Sequence, residues 1–149
     1  MFTENLKTKR RALINFLLLG CIIHALAGMA MTARPELLAQ YLQPFQASFW
    51  PAVVPDAAQR QLLWWLQAFG ATLQMLGLCM TLMVWAGRRH RQPVIWLGLA
   101  LALLLWAPQD ICLSWQRGIA LFVSLDLLAV LALLPPLLLL YAIDKGDEA

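Results

Sequence analysis

Four long apolar runs account for most of this 149-residue chain and leave little sequence for anything else. A helix that crosses a bilayer needs about 20 mostly apolar residues, and each run is long enough to supply one. Hydrophobic residues make up 62% of the chain and charged residues 13%, whereas about a quarter of the residues of a soluble domain are charged. The sequence therefore predicts an all-α integral membrane protein in which residues 1–149 form a single transmembrane domain. The predicted helices cover residues 12–32, 61–87, 94–115 and 119–143.

The basic residues predict how these helices are oriented. One cluster, within residues 7–11, precedes the first apolar run, and a second, within residues 88–91, follows the second run. Loops that are rich in Lys and Arg stay on the cytoplasmic side of a membrane. With eight Lys or Arg on the proposed inner side and three on the outer side, we expect an antiparallel four-helix bundle with both termini in the cytoplasm. This pattern, in a chain without other targeting signals, indicates a bacterial inner membrane, with an organelle membrane as the alternative.

The first apolar run has a second interpretation, as a cleaved signal peptide that ends near residue 27. It has a positive segment, an apolar segment and small residues at Ala25 and Ala27. The run continues for 21 residues, however, and contains His24. These features favour a transmembrane helix.

The external loop, residues 33–60, contains four prolines, too many for one continuous helix. Apolar residues recur at helical spacing just after Pro35, so residues 35–43 are expected to form a short helix on the membrane surface. Phe45, Phe49 and Trp50 would help to anchor this loop, or would form a cover over a cavity beneath it.

Polar residues inside the apolar runs are the strongest indication of function. Asp126 is the clearest case, because a carboxyl group at membrane depth nearly always faces a protein interior, a wet cavity or a partner. Counted along each helix at about 1.5 Å per residue, one polar residue from every helix reaches the outer half of the membrane. Helical spacing places His24 and Gln74 on the same helix sides as small residues, which line helix contacts in membranes. Gln67, seven residues before Gln74, lies on the same side of its helix. The candidate polar cluster is His24, Gln67, Gln74, Asp110 and Asp126.

Asp126 needs a partner or a proton, and the sequence leaves three alternatives. Burial favours the neutral acid, whereas pairing with protonated His24 or with Arg117 favours the carboxylate. Asp110 could instead pair with Arg117 at the external mouth. The three alternatives for Asp126 are a structural hydrogen bond, a site for a ligand or proton, and a contact with a partner protein.

These residues predict a non-catalytic membrane protein that binds a lipid or a small amphipathic molecule in the outer half of the bundle. The first alternative is an accessory or assembly subunit of a larger membrane complex, with a partner protein or a second copy on its polar faces. The second is a small proton-coupled transporter. In size and helix count the chain resembles the small multidrug transporters, but those carry an acidic residue in the first helix, where this chain has His24.

Other functional classes lack the residues that they need. No nucleophile can be matched with a base by spacing, and no cofactor or metal motif is present, since the three cysteines lie singly. We therefore expect neither catalysis nor a metal site. The basic clusters have no interleaved aromatic residues, which argues against nucleic-acid binding.

Overall fold

The computed structural model describes residues 2–146 and folds them almost entirely into helices. Four helices are long and two are short, and a single 3₁₀ turn separates the short ones. No strand occurs within residues 2–146. The elements are α1 (Phe2–Ala33), α2 (Pro35–Ala39), the 3₁₀ turn (Gln40–Leu42), α3 (Gln43–Phe49), α4 (Asp56–His90), α5 (Pro93–Gln116) and α6 (Ala120–Gly146).

All four long helices are long and apolar enough to cross a membrane. Large apolar side chains are exposed along each of them, as expected for surfaces that contact lipid. The prediction of an all-helical chain with four helices that could span a membrane is confirmed for the described residues. The chain thus has the composition and helix lengths of a multi-pass membrane protein.

The helices extend beyond the apolar runs. Helix α4 begins at Asp56 rather than at Gln61, because Pro55 has an extended conformation (φ −62°, ψ 143°) that ends the loop, and an acidic residue is favourable in a first helical turn. At its other end Arg91 has a left-handed conformation (φ 52°), and its N–H donates to Gly87 O (3.1 Å). The segment between α1 and α4 is therefore residues 34–55, and it contains α2, the 3₁₀ turn and α3.

The long helices pack as two antiparallel pairs, α1 with α4 and α5 with α6, and contacts within each pair are far more extensive than those between pairs. Glycines allow the close approach of α1 and α4. A Cβ atom built on Gly28 would lie 2.5 Å from Gly70 O, and one built on Gly77 would lie 3.0 Å from the backbone nitrogen of Ala25. Small residues of this kind bring helix backbones together in membranes.

The two pairs join in one half of the molecule. One end of the molecule contains the N-terminal part of α1, the α4–α5 turn and the end of α6. We call the half of each long helix that adjoins this end the terminal half. The other half is the loop half. The main apolar core lies in the terminal half and draws side chains from all four long helices. Its members nearest the loop half are Cys21, Met80, Leu103 and Leu133.

The glycine contact between α1 and α4 can be tested with Gly28→Ala. The added methyl group would overlap Gly70 O and the backbone nitrogen of Gln74, so the helices must separate, at a cost of about 1–3 kcal/mol in the free energy of unfolding. Gly98→Ala on α5 is the matched control, because nothing lies within 4 Å of its Cβ position and the helix gains propensity. The free energy of unfolding of both variants is measured by reversible unfolding in mixed micelles, followed by circular dichroism. Equal stability of the two variants would contradict the close packing of α1 against α4.

Candidate functional site

The polar residues predicted from the sequence lie in the loop half but do not meet at one point. Gln74 lies between α1 and α4, and Asp110 and Asp126 lie on the α5–α6 pair. Gln67 is exposed, although its backbone oxygen lies 3.4 Å from Thr32 Oγ1. The five residues are therefore distributed over both helix pairs.

Gln74 belongs to a hydrogen-bond network that joins α1 to α4. Its Nε2 donates to Thr32 Oγ1 (3.0 Å) and lies 3.4 Å from Gly70 O. Thr32 Oγ1 in turn donates to Gly28 O (3.0 Å). The glycines bring the backbones close enough for these bonds, so Gln74 has a structural role in this pair.

His24 is half-buried on α1, one helical turn beyond Cys21 at the edge of the apolar core. Within residues 2–146 it forms no hydrogen bond and no ion pair. The pairing with Asp126 that the sequence allowed is thus not formed. The imidazole remains free to bind another group.

Asp126 is buried at 7% exposure in α6, and its Oδ2 has no hydrogen-bond partner in the described part of the chain. Its carboxyl group interacts electrostatically with that of Asp110 on α5. The two residues lie level because each is about two helical turns from the α5–α6 connection. A pair of acids at this depth, one enclosed and unpartnered, is costly unless a proton or another donor satisfies it.

Arg117 does not form the predicted ion pair with Asp110 in the described structure. Its guanidinium instead lies over the ring of Phe49, 5.2 Å from the ring centroid. Phe49 also contacts the rings of Phe45 (centroids 5.1 Å apart) and Trp50 (5.8 Å). The aromatic residues of the α1–α4 segment therefore reach the α5–α6 connection and link the two helix pairs at the loop end.

A second polar site lies at the opposite end, and sequence reasoning did not identify it. The carboxylate of Asp144 accepts two hydrogen bonds from Arg10, from Nε (2.7 Å) and from Nη2 (2.9 Å). Trp96 Nε1 donates to the same carboxylate (2.7 Å), and Arg10 Nη2 also donates to Gly87 O (3.0 Å). We call Arg10, Gly87, Trp96 and Asp144 the terminal cluster.

Each of the four long helices supplies one member of the terminal cluster. Asp144 and Trp96 are fully buried, and Arg10 is 7% exposed. Gly87 is required because the indole of Trp96 lies against it, where a Cβ atom would be 2.6 Å from Trp96 Cζ2. Removing two charges from water is costly, but the paired donors of Arg10 and the indole N–H leave both carboxylate oxygens satisfied. The terminal cluster therefore joins all four long helices in the terminal half.

The sequence contained a signal for the terminal cluster. Arg10 continues the stripe of Ile14, Leu17 and Cys21 at spacings of four, three and four residues, and these residues form part of the core. Asp144 extends the stripe of Leu137 and Leu140 in the same way. Interpreting Arg10 only as part of a basic cluster concealed this pattern.

The two sites differ in what they can do chemically. In the terminal cluster the Asp144 carboxylate already accepts three hydrogen bonds from within the chain, whereas Asp126 retains an oxygen without a donor. No group of three or more metal-ligating side chains is present within residues 2–146. Comparison with protein-family models, curated proteins and solved structures finds no match to this chain.

The contribution of the indole hydrogen bond can be measured with Trp96→Phe. The variant leaves Asp144 with one donor fewer inside the protein, and a hydrogen bond to a charged group contributes about 1.5–3 kcal/mol, so the free energy of unfolding should fall by that amount. Trp106→Phe on the same helix is the control, since Trp106 is exposed, and it should change stability by less than about 0.5 kcal/mol. If both substitutions have the same small effect, the hydrogen bond from Trp96 does not stabilise the fold.

Proposed function

We propose that this protein is a non-catalytic, multi-pass inner-membrane protein that binds a lipid or a small amphipathic molecule in the loop half of its four-helix bundle. Asp126 and Asp110 supply the polar contact, and the apolar helix faces supply the affinity. The observation that carries this proposal is the enclosed oxygen of Asp126 that has no donor.

The position of Asp126 favours a small donor over a partner protein. At 7% exposure, Asp126 offers little surface to the interface of another subunit. A ligand head group with an N–H or O–H donor is small enough to enter between the helices. This argument ranks ligand binding above the alternative role as an accessory or assembly subunit.

The distribution of packing supports a site in the loop half. The main core ends at Cys21 and Leu133, and the terminal cluster closes the opposite end. Beyond the core, Arg117 of the α5–α6 connection contacts Phe49 of α3, which suits an entrance covered by the α1–α4 segment. Half-buried His24 adds a second polar group at the inner edge of this region.

We place the loop half on the outer side of the membrane and both termini in the cytoplasm, with α2 and α3 at the outer interface. The excess of Lys and Arg beside the termini and the α4–α5 turn supports this orientation. Helix α1 is retained in this account, because Arg10, Ile14 and Leu17 belong to the packed interior. Cleavage near residue 27 would remove all three.

The proposal is tested by purifying the tagged protein in mild detergent and identifying the bound small molecules and proteins by mass spectrometry. The wild-type chain should retain a stoichiometric lipid or amphiphile. Asp126→Asn, which keeps the shape but removes the charge, should fold and lose most of that ligand. Asp56→Asn, which changes an exposed acid at the start of α4, is the control and should retain it.

Two results would contradict ligand binding at Asp126. A stoichiometric protein partner without a bound small molecule would favour the accessory role. Full ligand retention by Asp126→Asn, together with loss of folding in Asp126→Leu, would make the residue a structural hydrogen-bonding group.

A further inference from the structure

A groove at the loop end lies between the short helices and the first turns of α4. It is lined by Glu36 of α2, Gln40 of the 3₁₀ turn, Gln43 and Gln46 of α3, and Gln59 of α4. Four of these five side chains are glutamines, brought together from three elements. This groove is separate from the proposed site at Asp126, which lies about two turns inside α6.

Gln46 gives the groove an unused polar group. Its side chain is 93% buried, at 7% exposure, and within the described residues no hydrogen bond engages its amide. The bond from Trp50 N–H to Gln46 O (2.9 Å) closes the last turn of α3, and the Gln46 side chain lines the groove. The Gln46 amide itself is not enclosed, so it is open to a ligand in the groove.

The chemistry of the lining selects the class of ligand. Each glutamine amide offers two donors and one acceptor oxygen, and Glu36 adds acceptor oxygens. This lining matches ligand groups that both donate and accept hydrogen bonds, such as hydroxyls. No Lys or Arg lines the described groove, and the acidic Glu36 repels phosphate. Leu62 and Leu63 form an apolar wall, against which the C–H face of a sugar ring can pack.

We propose that this glutamine-lined groove binds a neutral, hydroxyl-rich sugar group, either the head group of a glycolipid or a free sugar. Gln46 supplies hydrogen bonds from α3, Gln59 supplies hydrogen bonds from α4, and the leucines contact the ring.

The test uses the full chain in phosphatidylcholine nanodiscs, which avoids sugar-based detergents, with binding measured by isothermal titration calorimetry. Octyl β-glucoside below its critical micelle concentration represents a glycolipid, methyl β-glucoside represents a free sugar, and a short-chain phosphatidylglycerol represents an anionic head group. Octyl glucoside should bind to the wild-type protein. Gln46→Met, which keeps the length of the side chain without its amide, should weaken binding about tenfold.

Gln59→Met provides a second variant on α4, where the side chain is exposed and folding does not depend on it, and it should also weaken binding. Gln61→Met, an exposed glutamine outside the groove on the same helix, should leave binding unchanged. Equal binding of methyl glucoside would identify a free sugar as the ligand, and much weaker binding would identify a glycolipid.

The proposal is overturned if neither glucoside binds to the wild-type protein, or if phosphatidylglycerol binds as well as octyl glucoside. It is also overturned if Gln59→Met and a folded Gln46→Met both bind like Gln61→Met.

Discussion

The ion pair between Arg10 and Asp144 is the interaction on which the packing of the four long helices depends. It joins the first helix to the last, while the hydrogen bonds to Gly87 and from Trp96 draw in the remaining two. Both charges are buried, and an unpaired charge at that position would be strongly unfavourable. Arrangements of the helices that separate these two residues are therefore disfavoured. The apolar side chains beside the cluster then form a core that is confined to the same half of the molecule.

The polar groups of the loop half are arranged differently. There the α1–α4 pair is closed by glycine contacts and by the bond between Gln74 and Thr32, but the polar group of the α5–α6 pair, Asp126, is left unsatisfied. At one end of the molecule the buried charges of Arg10 and Asp144 are paired with each other, whereas the other end presents a carboxyl group without a donor. In the proposed function, structural stability and ligand binding therefore belong to opposite ends.

Hydropathy and helical spacing were sufficient to predict the four long helices and the side of α4 that carries Gln74, since both depend on local sequence. Spacing also predicted the level of Asp110 and Asp126. The partner of each polar residue was not predictable, because several basic residues near either end could have paired with an acid. Arg117 illustrates the difficulty: its sequence position suggests Asp110, yet it lies over Phe49, which comes from a segment far away in the chain. Residues 35–43 were predicted as one short helix, whereas the structure divides them between α2, the 3₁₀ turn and the first residue of α3.

A double-mutant cycle on Arg10 and Asp144 tests the central role of the ion pair most directly. The free energy of unfolding is measured in mixed micelles for Arg10→Met, Asp144→Leu and the double variant. Each single substitution leaves one buried charge unpaired and should cost about 3–5 kcal/mol, whereas the double variant, with no buried charge, should cost no more than either single one. Two small effects that simply add would show that the ion pair does not hold the helices together.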